Sequence, residues 1–171
     1  FAYIGRISDQ KNLDILIKSY NLLKQRRTNI PKLVIYGKED NFGSPNMGIA
    51  SSDCLNDIKE MLKKLKLEND VIFKGFMPRE EIYNELGSDH IFVTASTHSD
   101  ENFGMALLRS LATGALAVVS NWGGHKVFKT HCQERVWLAS VEFENFRPVP
   151  NISDFSNAME EALNYLEKKE V

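Results

Sequence analysis

The sequence predicts an α/β domain: a doubly wound, Rossmann-like parallel sheet of about six strands flanked by helices. Two observations support this fold class. Short apolar runs rich in Val, Ile and aromatic residues alternate with longer amphipathic stretches along the whole chain. The runs also lack the polar alternation of a half-exposed sheet, as expected for strands that are covered on both faces.

Six apolar runs are predicted to be the strands. They span residues 1–5, 32–37, 70–76, 90–96, 115–120 and 135–139. The succession of strand, helix and strand repeats about five times, which indicates a parallel sheet wrapped by helices. Ligands of such sheets bind at the carboxyl ends of the strands, near the point where the strand order reverses. We therefore expect the functional residues in the loops that follow the strands.

The amphipathic stretches between the runs are predicted to be helices. Their apolar faces comprise Leu13, Leu16, Ile17, Tyr20 and Leu23; Leu55, Ile58, Met61, Leu62 and Leu65; and Phe155, Met159, Ala162, Leu163 and Leu166. Pro78 suits the first turn of a short helix, and Ser153 and Asp154 are predicted to cap the last one. The segment 38–53 is rich in Gly, Asn and Ser, and is predicted to be a lid, a substrate loop or a plain connection.

Length and composition narrow the class of protein. The chain has 171 residues and a formal net charge of −2, which fits one domain and disfavours nucleic acid or an anionic membrane as a partner. Cys54 and Cys132 have no metal-like spacing, so we expect a reduced, cytoplasmic protein without a zinc site. No apolar run approaches the roughly 20 residues of a membrane span. Because the chain opens on an apolar run, we expect residues 1–171 to be one domain of a longer protein.

Two loops at the predicted ligand edge carry groups that suit a phosphorylated ligand. Arg6 and Lys11 follow the first strand and offer a fork of donors and a compact charge to a diphosphate. A helix is predicted to begin near Asn102, where the amides of Phe103 and Gly104 could face a phosphate and Glu101 could accept hydrogen bonds from sugar hydroxyls. Each loop alone would better suit a solvated surface, and it is their common edge that favours the ligand site.

Several other chemistries have no support in the sequence. No G-x-G-x-x-G follows the first strand, which argues against a nicotinamide enzyme. The four histidines have neither metal-ligand nor triad spacing, and no G-x-S-x-G nucleophile turn occurs. The Gly pair in "SNWGG" (120–124) could serve a substrate hydroxyl or form only a turn.

Two stretches resemble the C-terminal domain of the group 1 (family 4) glycosyltransferases. The first is "YIGRISDQKNLDILIKSYNLL", with Gly-Arg, Lys-Asn and then an amphipathic helix. The second is "ENFGMALLRSLATGALAVVSNWGG", with Glu-x-Phe-Gly, a helix and a Gly-Gly turn. The resemblance covers nearly the whole chain in order. It implies one half of a GT-B fold, which holds a nucleotide-sugar donor and faces an N-terminal Rossmann-like domain of the same chain.

The resemblance also implies roles for individual residues. Arg6 and Lys11 would bind the donor diphosphate and stabilise the leaving group, and Glu101 would bind hydroxyls of the transferred sugar. The remaining residues expected at the donor site are Gly5, Gly75, Phe76, Asn102, Phe103, Gly104 and Arg109, with the backbone around Gly75 and Phe76 against the base. The expected reaction is a metal-independent, retaining transfer of a hexosyl group from a UDP- or GDP-sugar to a glycan, lipid-linked or small-molecule acceptor. The expected location is the cytoplasm, including its membrane face.

One position departs from the family motif. Arg109 stands where the family carries a second glutamate that binds ribose hydroxyls, and an arginine cannot accept hydrogen bonds. Either another group holds the ribose, or the donor differs, or donor binding is weakened. Two alternatives therefore stay open: a non-catalytic relative acting as a binding or partner subunit, and a glycan phosphorylase-like enzyme in which Arg109 meets phosphate. Since the family's catalytic histidine lies in the N-terminal domain, the isolated domain is expected to be inactive.

Overall fold

The structure, a computed structural model, describes residues 1–40, 53–98 and 103–169. Its strands are β1 Ala2–Ile4, β2 Leu33–Tyr36, β3 Val71–Gly75, β4 Ile91–Thr94, β5 Leu116–Ser120, β6 Val136–Ala139, β7 Val141–Glu144 and β8 Arg147–Pro150. Its helices are α1 Leu13–Arg26, α2 Cys54–Leu65, α3 Arg79–Glu85, α4 Met105–Ala112, α5 His125–His131 and α6 Ile152–Lys169. None of these helices is long and apolar enough to cross a membrane.

The first six strands form one parallel sheet, in the order β3-β2-β1-β4-β5-β6. This confirms the predicted doubly wound α/β fold and all six predicted strands. The order reverses between β1 and β4, which pair through Ala2 and Phe92. Because all six strands run the same way, the loops that follow them emerge at one edge of the sheet.

Helices cover both faces of the sheet. On one face α1, α2 and α6 bury a large core that includes Leu16, Tyr20 and Phe155. On the other face α4 and α5 pack against β4, β5 and β6 through residues such as Leu107 and Phe128. Helix α3 also lies on this second face, where Ile82 and Leu86 pack against β1 and β2. The central strands β4 and β5 are therefore buried on both sides, as their continuous apolar runs predict. The edge strand β3 differs from that prediction, because Ile72 and Lys74 are exposed on one of its faces.

The cap of the last helix differs from the prediction. Helix α6 begins at Ile152, so Ser153 and Asp154 lie inside its first turn. Asn151 caps the helix instead, because its Oδ1 accepts the backbone N–H of Asp154 at 2.9 Å. The carboxylate of Asp154 accepts the backbone N–H of Ser140 at 2.6 Å and so fixes the approach to the helix.

A short antiparallel hairpin, β7–β8, was not predicted. It follows β6 directly, and its tip is formed by Asn145 and Phe146, with φ angles of 48° and 63°. Two successive positive φ angles are typical of the type I′ turn that suits a two-residue hairpin, and Asn adopts them readily. Hydrophobic patterning could not detect these strands, because they bury little apolar surface: Phe143 is 69% exposed, and its neighbours Glu142 and Glu144 are also exposed.

Candidate functional site: a cationic cleft at the sheet reversal

The chain leaves β1 through Gly5 and Arg6, and this turn is held by backbone contacts with the loop after β2. The N–H of Gly5 donates to the carbonyl of Tyr36 at 3.0 Å. The hydroxyl of Tyr3 donates to the carbonyl of Arg6 at 2.7 Å. A Cβ atom on Gly37 would lie only 1.8 Å from the carbonyl oxygen of Gly5, so this close approach requires glycine. The position from which Arg6 projects is thereby fixed.

Arg6 and Lys11, the two side chains of the first loop that are predicted to bind phosphate, have partners on opposite sides of β1. Arg6 is 38% exposed and forms an ion pair with Asp40, which follows β2. Lys11 ends a short 3₁₀ turn, and its Nζ donates to Ser96 Oγ at 3.4 Å beyond the end of β4. The two cations therefore flank the point where the strand order reverses.

Asn12 joins these two sides of the sheet. It precedes α1 in a left-handed conformation, with φ of 49°. Its Nδ2 donates to the carbonyl of Ala95 at 2.9 Å and to Thr97 Oγ1 at 2.8 Å. The side chain thus ties the start of α1 to the loop after β4, and it positions the neighbouring Lys11. Its signal in the sequence was the Lys-Asn pair, because Asn tolerates left-handed backbone better than most residues.

Helix α4 begins three residues later than the predicted start near Asn102. Its first residue is Met105, and Gly104 precedes it with φ of 64° and ψ of 57°. A Cβ atom on Gly104 would also lie 3.1 Å from Cδ2 of His125. The first helical hydrogen bond of α4 is the one that the backbone N–H of Leu108 donates to the carbonyl of Gly104, at 2.9 Å. The first-turn amides are therefore those of residues 105–107, which follow the predicted Phe103 and Gly104.

A single cleft of about 520 Å³ opens between the β1 loop and the start of α4. Five of the residues predicted for the donor site line it, namely Gly5, Arg6, Lys11, Gly104 and Arg109. The first-turn residues Met105, Ala106 and Leu107 line it as well. The structure thus brings the two predicted loops to one cavity at the reversal of the strand order, where ligands of such sheets bind.

Other predicted site residues lie elsewhere. Gly75 and Phe76 do not line this cleft: Gly75 ends β3 and Phe76 follows it, two strands away from β1. Phe76 is 75% exposed, and Lys38 Nζ lies 5.9 Å from the centre of its ring. The Phe103 ring packs edge-on against Phe128, with the ring centres 5.7 Å apart. Glu101 and Asn102 lie outside the described residues, as does most of the 38–53 loop.

The charged side chains of the cleft are all cationic among the residues that the structure describes. Arg6 and Lys11 are joined by Arg79 from α3 and Arg109 from α4, and no described Asp or Glu is among the lining residues. Fixed positive charge and helix first-turn amides in one cleft favour an anionic ligand. Within residues 1–40, 53–98 and 103–169, no group of three or more His, Cys, Asp or Glu side chains could hold a metal ion.

Comparison with known proteins identifies the family. The family model described as glycosyl transferases group 1 matches residues 1–167. The chain belongs to the group 1 glycosyltransferases. It is 31% identical to the mannosylfructose-phosphate synthase of Agrobacterium fabrum over 121 residues, which are 71% of this chain and 25% of that protein. This glycosyltransferase chain therefore spans about a quarter of that relative.

Solved structures show the same fold at low identity. HepE of Anabaena, crystallised in complex with UDP, superimposes with a TM-score of 0.74 at 17% identity, covering 98% of this chain and 39% of HepE. The C-terminal domain of the group 1 glycosyltransferase LpcC from Francisella tularensis superimposes with a TM-score of 0.69 at 18% identity, covering 95% and 74% of the two chains. The GT-B half predicted from the sequence is confirmed as the fold of this glycosyltransferase.

Among the cleft residues of this glycosyltransferase that were not predicted for the site are Arg79, Tyr83 and His125. The chain passes from β3, at the sheet edge, to β4 beyond β1, and α3 packs across β1 and β2 on the way. Arg79 and Tyr83 thereby reach the cleft from a helix that follows a distant strand. Their spacing of four residues, on one helix face, was the available signal. His125 is buried, with Nδ1 3.3 Å from both Ser120 Oγ and the Ser120 carbonyl oxygen.

Proposed function

We propose that this domain binds the nucleotide-sugar donor of a retaining, metal-independent hexosyltransferase, with the donor diphosphate in the cationic cleft. The observation that carries the proposal is the convergence of Arg6, Lys11 and the first turn of α4 on one cavity. Family membership supports the transferase class. HepE was crystallised with UDP, which supports a UDP-sugar as the first donor to test, with a GDP-sugar as the second.

The chemistry of sugar transfer matches this cleft. When the bond between the sugar and the diphosphate breaks, negative charge develops on the departing nucleoside diphosphate. Arg6, Lys11 and the positive end of the α4 dipole would stabilise that charge in place, which is the task that a bound metal ion performs in other enzymes. At 4 Å, one unit charge pair is worth about 4 kcal/mol at an effective dielectric constant of 20. Glu101 would bind hydroxyls of the transferred sugar, a role that rests on the family motif.

The rest of the reaction is proposed to need more than this domain. An N-terminal Rossmann-like domain of the same protein would face the cleft and supply the catalytic histidine and acceptor contacts. The acceptor would be a glycan, a lipid-linked sugar or a small molecule, met in the cytoplasm or at its membrane face. The present chain alone would bind the donor without transferring the sugar.

Calorimetric titration with UDP, GDP and ADP tests the donor site. We expect one nucleoside diphosphate to bind, and Arg6→Gln and Lys11→Gln each to weaken it about tenfold or more, because each variant removes a charge-assisted contact worth about 1.5–3 kcal/mol. Lys59→Gln is the matched control, since it removes the same charge from an exposed position on α2. Equal losses in all three variants would contradict a specific diphosphate site and indicate only bulk electrostatics.

Arg109 is the observation that favours a second candidate function. Its place in the cleft suits a phosphorylase-like enzyme that uses inorganic phosphate, or a partner subunit that no longer binds nucleotides. Titration with inorganic phosphate separates these. Tight phosphate binding that is lost in Arg109→Gln supports the phosphorylase, and the absence of any nucleotide binding supports the partner subunit.

A further inference from the structure

Two arginines from different helices and one tyrosine line the cleft on the side of α3. Arg109 of α4 lies with Cζ 6.0 Å from the centre of the Tyr83 ring, and Arg79 begins the helix that carries Tyr83. Burial raises the pKa of Tyr83, while the positive charges of Arg109 and Arg79 act to lower it. Arg79 and Arg109 both line the cleft together with Tyr83.

Neither arginine has a carboxylate partner among the residues that the structure describes. Other arginines of the chain do: Arg6 pairs with Asp40, and Arg27 pairs with Glu167. The carboxylate of Glu85, also on α3, has other partners: it accepts a hydrogen bond from the Tyr36 hydroxyl and lies 3.7 Å from Lys74 Nζ. Two like charges that converge without a counter-charge repel each other, and they create a local positive potential that attracts an anion.

The proposed diphosphate does not account for all of this charge. The proposed function assigns the two negative charges of the donor diphosphate to Arg6, which also pairs with Asp40, and to Lys11 beside the end of β1. Arg79 and Arg109 add two more positive charges within the same 520 Å³ cavity. Arg79 is exposed and Arg109 is half-buried, so a ligand with the diphosphate alone would leave both guanidinium groups without an anionic partner among the described residues.

We propose that Arg79, Tyr83 and Arg109 form a second oxyanion site, so that the ligand set of this cleft includes a phosphate or carboxylate group in addition to the donor diphosphate. The inference rests on the proposed function and specifies its substrate class. Two guanidinium forks can each donate a pair of parallel hydrogen bonds to a planar or tetrahedral oxyanion. The Tyr83 hydroxyl can add a further donor.

Three sources of the second oxyanion can be distinguished by matched probes in calorimetry. A carboxylate on the transferred sugar is tested by UDP-glucuronate against UDP-glucose. A phosphate on the ribose is tested by uridine 3′,5′-bisphosphate against UMP. A free anion is tested by UDP with and without inorganic phosphate. We expect at least one anionic member of these pairs to be favoured about tenfold, as for one bidentate charge-assisted contact.

The variants assign that preference to the two arginines. In Arg79→Gln/Arg109→Gln the ratio between the matched probes should fall to about one, whereas Lys59→Gln should keep the wild-type ratio. Arg109→Lys keeps the charge and loses the fork, so it should keep only part of the ratio. Thermal unfolding of each variant verifies that the fold is retained.

Failure of this inference is distinct from failure of the proposed function. If UDP-glucose and UDP bind but no pair shows a preference, the second oxyanion site is overturned and the donor site stands. A preference that persists in the double variant likewise overturns the assignment to Arg79 and Arg109. If neither UDP nor UDP-glucose binds, the proposed function fails, and the bisphosphate pair alone then decides whether these arginines bind an oxyanion.

Discussion

Replacement of Gly37 by alanine tests the idea that backbone contact between two loops positions Arg6. Gly37 has φ of 153°, and an added Cβ atom would lie 1.8 Å from the Gly5 carbonyl oxygen. A side chain in this sparsely populated backbone region costs about 1–3 kcal/mol, and the overlap costs a similar amount because backbone has to move. Gly37→Ala should therefore lower the free energy of unfolding by about 2–6 kcal/mol.

The matched control is Gly114→Ala. Gly114 also has a positive φ, of 94°, but the nearest atom to an added Cβ is Ser88 Cβ at an ordinary 3.6 Å. It should cost only the backbone strain of about 1–2 kcal/mol. Urea unfolding followed by tryptophan fluorescence measures both values. UDP binding should weaken in Gly37→Ala, because the Gly5–Arg6 turn moves. Equal destabilisation of the two variants, within about 0.5 kcal/mol, would refute the argument.

Three further predictions concern the same loops. Asn12→Ala removes two hydrogen bonds and puts alanine at φ of 49°, so urea unfolding should show a loss of about 2–4 kcal/mol, with a smaller loss for Asn12→Gly. Asp40→Asn releases Arg6 from its ion pair, so calorimetry should show an increase in UDP affinity of up to about fivefold, which is the worth of such a pair. In an Arg6→Gln background the same substitution should leave the UDP affinity unchanged. Burial, with Asp9 beside the thiol, raises the pKa of Cys54 from 9.0 to about 12. The folded chain thus retains a proton that the unfolded chain loses, so stability should fall as pH rises from 9 towards 12, and less steeply in Cys54→Ala.

The sheet could be predicted from the sequence because its signal is local. Each of the six strands lies in a short run rich in apolar residues, and the intervening helices carry regular apolar faces. The hairpin β7–β8 has neither property, since Phe143 and Phe146 point to solvent. Its only signal was Asn145 at the turn. Exposed strands that pair only with each other are therefore the elements that hydrophobic patterning misses.

The candidate site divides in the same way. Arg6, Lys11 and Gly104 could be placed at one edge because each lies just beyond a predicted strand or at the start of the helix that follows it. Arg109 lies further along α4 and was predicted from the family motif. Arg79 and Tyr83 could not, because their presence depends on the path of α3 across β1 and β2. The roles of Glu101, Asn102 and the base contacts at Gly75 and Phe76 remain predictions.

The short pairing of β1 with β4 has a consequence for the dynamics of this domain. Those strands join through Ala2 and Phe92, so the sheet consists of two three-stranded halves with little ladder between them. A ligand that binds both Arg6 on one half and α4 on the other would link the two halves of the sheet. Its binding energy would oppose separation of the halves, and amide hydrogen exchange on both sides of that join would slow together as the concentration of the bound molecule rises.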